Sequence, residues 1–224
     1  MIKRGDFKIS DKQIKVFVTG FFNSGKSTLV HKLDKKAIHV EKNLSKAYNK
    51  EKLSTTTGFD LGRLVWARPN LDNETDGVLM SKTEYLRDKD EYPGWNIIYV
   101  ELKGSPGQMQ FSTVRKVLAK GSDGVIFLID GCDLANVGNA LVVLEEIKAI
   151  LGNYVPMRII ANKSDRSDFH GCEIISNMIG EKVYEGSGKY NIGIKNAIIE
   201  VLKIILCTSN ESNISKKEAI LENG

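Results

Sequence analysis

The chain has 224 residues, which at roughly 150 residues per domain allows one domain or two at most. Apolar residues make up 42% and charged residues 27%, which excludes a mostly disordered chain, and no apolar run reaches the roughly 18 residues of a membrane span. The net charge of +4 is too weak a bias to imply nucleic acid as a partner.

In chain order, residues 13–20 read as a strand running into a glycine turn, and 26–33 as a helix. Residues 35–57 are polar with little periodicity and read as a loop with at most one helical turn. Residues 59–67 and 95–102, rich in β-branched and aromatic side chains, read as strands. The polar stretch 68–94 between them is expected to be an inserted loop or hairpin. Residues 124–130 form a continuous apolar run, as in a strand buried on both faces. Leu134, Val137, Leu141, Leu144 and Ile147 recur at helical spacing. A second buried strand is expected at 155–161, a helix at 167–179, a short strand at 182–185 and an amphipathic helix at 192–206. Residues 207–224 read as a polar tail, loose or marginally helical, beyond one domain over 1–206. Strands alternating with helices predict an α/β fold, a mostly parallel sheet with helices on both faces. In such sheets ligands bind beyond the carboxyl ends of the strands.

The first motif falls at such an end. Gly20-Phe21-Phe22-Asn23-Ser24-Gly25-Lys26-Ser27 fits the phosphate-binding pattern G-x-x-x-x-G-K-[ST], followed by Thr28. Its glycines let successive N–H groups turn inward as a cup for phosphate oxygens, and the following helix adds its positive end. Lys26 is placed to reach the β- and γ-phosphates, and the Ser27 hydroxyl to take one position on Mg²⁺.

Asn162-Lys163-Ser164-Asp165 follows the strand expected at 155–161. A carboxylate there accepts two hydrogen bonds from the N1–H and N2–H₂ edge of guanine, a pair that adenine does not offer. Leaving that carboxylate unpaired is costly, so Asp165 would select GTP over ATP. Lys163 would lie along the base plane, and Asn162 would tie this loop to the phosphate loop. Ser187-Gly188-Lys189 follows the next strand, where the Gly188 N–H suits the guanine O6 and Ser187 shapes the loop.

Taken in this order, at these strand ends, the three motifs resemble the Ras-like small GTPases over residues 13–206. The resemblance implies a P-loop NTPase fold, a Ras-like G domain with a six-stranded sheet, that cycles between GTP and GDP states with Mg²⁺. It implies a first switch segment at Ser54-Thr55-Thr56-Thr57-Gly58-Phe59-Asp60, with Thr56 as the Mg²⁺ ligand and Thr57 as the alternative. It implies a second switch at Gly104-Ser105-Pro106-Gly107-Gln108, where Gly107 would offer its N–H to the γ-phosphate and Gln108 would orient the attacking water. The pattern is similar to the small GTPases of actinomycete conservons and, less closely, to the MglA polarity GTPases. Those groups work with roadblock/LC7-domain proteins, so a regulatory partner of that kind is implied by analogy.

Two positions depart from the family. Gly104 replaces the aspartate that holds Mg²⁺ through water, and Asp60 is the candidate substitute. Phe22 stands where many relatives have glycine beside the γ-phosphate, and a ring there would crowd the glutamine or an incoming arginine, which predicts slow intrinsic hydrolysis; no arginine of the chain is an obvious finger, so a partner would supply one. Two rival readings stay open. One is a non-hydrolysing scaffold that keeps nucleotide for stability. The other is an ATP-using enzyme, which Asp165 disfavours. His31, His39 and His170 share no metal spacing and read as surface or helix-end residues, and Trp66 and Trp95 as strand-edge packing. Cys132, Cys172 and Cys207 are an odd set without metal spacing and suit a reducing, cytoplasmic setting. The N-terminus has no secretory signal and neither end carries a lipidation motif, so no membrane segment is expected. A dimer is left open.

Overall fold

The computed structural model of the protein describes residues 13–43, 56–69, 77–152 and 154–221. The longest apolar alternations become the centre of the sheet. In β1 (Ile14–Gly20), Ile14, Val16 and Val18 pack on one face and Phe17 on the other. In β6 (Gly124–Asp130) every residue is buried, with Ile126 and Leu128 facing one core and Val125, Phe127 and Ile129 the other. A strand placed between two cores has no polar face, hence the unbroken apolar run.

The remaining strands are β2 (Ile38–Asn43), β3 (Thr56–Arg68), β4 (Val78–Ser81), β5 (Asn96–Gly104), β7 (Met157–Asn162) and β8 (Val183–Glu185). They join in one eight-stranded sheet ordered β2-β3-β5-β1-β6-β7-β8, with β4 paired to β3. β1 is parallel to β5 and β6, and β7 is parallel to β6 and β8; β3 runs antiparallel to β2, β4 and β5. Helices α1 (Lys26–Leu33) and α6 (Ile194–Leu221) cover one face. Helices α3 (Ser112–Ala119), α4 (Val137–Leu151) and α5 (Cys172–Ile179) cover the other. This is a mostly parallel sheet covered by helices on both faces, an architecture consistent with the expected Ras-like P-loop G domain.

Three expectations need correction. Among the described residues the sheet has eight strands rather than six. One addition is β2, inside the stretch read as a loop. Ile38 and Val40 remain exposed on this edge strand, so no buried stripe marked it, and its ladder to β3 carries it. The other addition lies in 68–94, where β4 pairs with Leu64–Ala67 and leads into α2 (Lys82–Asp88). The Ser81 hydroxyl accepts from the Glu84 N–H while the Glu84 carboxylate accepts from the Ser81 N–H, a capping box that starts α2. Under it Val65, Ala67 and Met80 form a third small core, joined by Tyr85, Tyr92 and Trp95.

Trp66 is wholly buried in the first core, because β4 and β5 flank β3 there and it is no longer an edge. The helix expected at 167–179 begins only at Cys172, after Gly171 at φ 90°. The helix expected at 192–206 starts at Ile194 as α6 and continues to Leu221, so the stretch read as loose or marginally helical is helical to that point.

Candidate functional site

The carboxyl ends of β1, β5, β6, β7 and β8 face one rim, so parallel pairing alone gathers the loops that follow them. The loop after β1 turns back through two left-handed residues, Asn23 at φ 59° and Gly25 at φ 94°, before α1 starts at Lys26. Glycine is required at Gly25 twice over. An L side chain is strained at that angle, and a Cβ would come 2.3 Å from Asn162 Nδ2. Ser24 is buried, while Phe22, Ser27 and Thr28 are exposed along the rim. Lys26 is buried, and its Nζ donates to Phe21 O at 2.6 Å and to Ser24 Oγ at 3.2 Å. Burial first, and then the positive Arg115, lower the Lys26 pKa to about 7, against an opposing pull from Asp60.

The loop after β5 lies directly on this cup. A Cβ on Gly107 would meet Lys26 Nζ at 2.5 Å, and Phe21 O and Phe22 Cα at 2.9 Å each. Gln108 does not aim its side chain at the cup; its Oε1 accepts from Gln110 Nε2 at 2.9 Å. The backbone of this loop is held from below. Arg115, fully buried on α3, donates to Gln108 O at 2.6 Å and to Pro106 O at 3.5 Å, and pairs with Glu146 of α4 at 3.0 Å. Nothing in the sequence pattern announced Arg115, since one arginine in a short helix normally lies in solvent.

Asp60 sits opposite Gly104 in the β3–β5 ladder. A Cβ on Gly104 would lie 3.1 Å from Asp60 Cβ and 3.3 Å from its Oδ2. The two positions therefore share one space, and a carboxylate on β3 occupies the ground that one on β5 would take. Burial works to raise the pKa of Asp60, but hydrogen bonds from Ser27, His39 and His31 outweigh it and hold the carboxyl below the usual range. An alcohol beside an ionised carboxylate is the hard oxygen chemistry that Mg²⁺ takes. Ser27 and Asp60 thus fit that ion, while the side chains of Thr56 and Thr57 lie outside the described residues.

The loops after β7 and β8 are locked to the phosphate loop through one amide. Asn162 Nδ2 donates to Ser24 O at 2.7 Å, and its Oδ1 accepts from the Gly188 N–H at 2.7 Å. Lys163, at φ 72°, turns its Nζ to Asp130 Oδ2 at 2.6 Å, and Asn23 Nδ2 reaches the same oxygen at 3.2 Å. Asp165 is exposed, with its Oδ1 accepting from buried Ser187 Oγ at 2.5 Å. A cleft of about 310 Å³ opens between these loops, lined by Gly25, Thr28, Asn162, Asp165 and Lys189 among others. A slightly larger one, about 380 Å³, lies at the start of β1 beside Gln13, Lys82 and Glu101, apart from every motif. Sequence reading missed Asp130, which ends an apolar strand, and Arg166, which pairs with Asp168 at the cleft wall.

No family model matches the chain. It is 25% identical over 122 residues to the Ras-related protein Rab-21 of Dictyostelium discoideum, covering 52% of this chain and 58% of that protein. It is 23% identical over 116 residues to the GTP-binding protein yptV2 of Volvox carteri, covering 49% of this chain and 54% of that one. The chain thus spans a little over half the length of the curated relatives it matches, and the likeness supports the Ras-like superfamily.

Proposed function

We propose that the chain is a small guanine-nucleotide-binding protein that alternates between GTP and GDP states and hydrolyses GTP slowly with Mg²⁺. The observation that carries this reading is the Asn162 amide, which joins the phosphate loop to the Gly188 loop across the cleft. Those two bonds hold the 20–27 loop, the loop that carries Asp165 and the Gly188 loop at one spacing, which supports reading them as a phosphate cup and a base-reading carboxylate in a single cleft. In this reading Lys26 and the backbone of residues 22–28 hold the phosphates. Gly107 caps the γ-phosphate and Gln108 turns from Gln110 to orient water. Asp165, Ser187, Gly188 and Lys189 surround guanine. Ser27, Thr56 and Asp60 serve Mg²⁺, which neutralises phosphate charge when bound.

Single-turnover hydrolysis of GTP at saturating Mg²⁺ tests the reading. The wild type is expected to turn over at about 10⁻³ s⁻¹ or below, and Gln108→Ala more slowly still. Equal affinity for GTP and ATP would sink the guanine assignment. A second reading, a nucleotide-stabilised scaffold without hydrolysis, is favoured by the engagement of Gln108 with Gln110 and by Phe22, 57% exposed at the cup's lip. Intact GTP in both proteins, with tight binding retained, would select it.

The lowered pKa of Lys26 adds a test of its own. Phosphates raise that pKa by attraction, so above neutral pH the free protein must take up a proton on binding. Affinity is therefore expected to fall as pH rises from about 7 to about 9. Titration calorimetry in buffers of different ionisation heat should register the proton uptake at the upper end and lose it below pH 6.

The finer likeness, to conservon and MglA-type proteins, rests on Thr55-Thr56-Thr57 and on Gly104-Ser105-Pro106-Gly107-Gln108. It motivates a roadblock/LC7-type regulator as the partner to try first. No helix among the described residues is long and apolar enough to cross a membrane, and a cytoplasmic setting is part of this proposal.

A further inference from the structure

Beside the proposed nucleotide site lies a cluster of which that site uses Asp60 alone. His31 Nε2, from α1, stands 3.2 Å from Asp60 Oδ1, and His39 Nδ1, from β2, stands 2.6 Å from the same oxygen. One ligand atom from each of the three lies within 4.8 Å of the others, and among the described residues this is the one such group of His, Cys, Asp or Glu. We propose that His31, His39 and Asp60 form a binding site for a divalent first-row transition metal ion of the Zn²⁺ class.

The fold builds this site from three elements. His39 and Asp60 are direct partners in the β2–β3 ladder, so their side chains leave the same face of the sheet. α1 crosses that face, and Val30, the neighbour of His31, packs over Gly62 and Gly104. Room for the His39 ring comes from Gly58, where a Cβ would fall 2.7 Å from both Cε1 and Nε2 of that ring. The Asp60 side chain is 3% exposed and fixed, while the His31 and His39 side chains are 41% and 40% exposed. A buried anchor with two half-exposed arms lets the imidazoles shift by the small amount that metal–nitrogen bonds of about 2.0–2.1 Å demand.

The donor set decides the ion. Mg²⁺ and Ca²⁺ prefer oxygen throughout, whereas two imidazoles and one carboxylate suit Zn²⁺, Fe²⁺ or Co²⁺ and leave a position for water. The Mg²⁺ proposed above would meet Ser27 and the other side of the carboxylate, toward Gly104. The inference does not rest on the nucleotide reading, because a failure of GTP binding leaves His31, His39 and Asp60 as they are.

The test is a Co²⁺ and Zn²⁺ titration of the full chain, stripped of loose metal, with millimolar Mg²⁺ present throughout. Visible d–d absorption by one bound Co²⁺ per chain, displaced by Zn²⁺ and without sulfur charge-transfer bands, is the expected result. His31→Ala and His39→Ala should each weaken binding by roughly tenfold or more, with circular dichroism melts checking that the variants fold. His39→Cys should restore binding and introduce a thiolate-to-cobalt band, a signature that a merely structural histidine cannot give. Absence of the Co²⁺ spectrum in the wild type would overturn the proposal. So would affinity that is unchanged in both alanine variants, or a thiolate band in the wild type that assigns the metal to a cysteine.

Discussion

Asp165→Asn is expected to weaken GTP and GDP binding by about 100-fold or more, equal to about 3 kcal/mol, and to leave the weak affinity for ATP where it was. The exposed carboxylate keeps one oxygen on Ser187 and turns the remainder of its acceptor capacity to the cleft. Guanine offers it two N–H donors. An amide at this place presents one acceptor and one donor, so one guanine N–H loses its partner and meets another N–H instead. The bond from Ser187 can persist to the amide oxygen, and the side chain is exposed. Folding without nucleotide should therefore be unchanged. Competition against a fluorescent GDP derivative, paired with an ATP titration at the same salt, measures both arms. An equal loss for the two nucleotides would show damage to the loop rather than to base recognition.

Arg115→Met should cost about 3 kcal/mol of stability, a fall of roughly 10 °C in Tm for a domain of this size. Methionine fills much of the volume, so the loss is mainly electrostatic. It removes the bonds to Gln108 O and Pro106 O and, among the described residues, leaves Glu146 bonded to Ser112. The arginine is not ideally satisfied itself, since its Nε is buried without a partner among the described residues. That penalty is relieved by the substitution, which places the expected loss at the low end for breaking a buried pair. A second effect separates this account from simple damage. Arg115 helps to lower the Lys26 pKa, so its removal should carry the pH at which nucleotide affinity begins to fall to a higher value. Thermal melts and affinity measured across pH report the two effects independently.

The sequence disclosed the parts of the fold that obey a period or a spacing. The all-apolar run 124–130 and the glycine pattern of residues 20–27 are legible because two-sided burial and a phosphate cup each leave little choice of residue. β2 was not legible. Its exposed Ile38 and Val40 bury no stripe, and the partner strand that stabilises it is distant in sequence. α2 was readable in principle, since Ser81-x-x-Glu84 is a capping signature, but it lies in a polar stretch without an apolar face to draw attention. Helix α6 continues past 206 through residues with weak periodicity, so the apolar pattern ended before the helix did.

At the site, each loop motif was visible as a string, whereas every partnership between loops was not. The bonds of Asn162 to Ser24 and Gly188 span 138 and 26 residues. The convergence of His31 and His39 on Asp60 depends on strand register and on where α1 crosses the sheet, neither of which has a spacing in the chain. For that reason three residues that looked unrelated in one dimension become neighbours in three.

The exchange of positions between Gly104 and Asp60 changes what a conformational step can carry with it. A carboxylate at the end of β5 would belong to the hinge of the 104–108 segment and would travel whenever that segment moved. On β3 it is held between two strands, opposite His39 on one side and Gly104 on the other. In the proposed cycle the 104–108 segment can then swing on and off the γ-phosphate as a detector, while custody of the metal stays with the stationary sheet. In that cycle release of phosphate and release of magnesium would become separate events, each with its own clock.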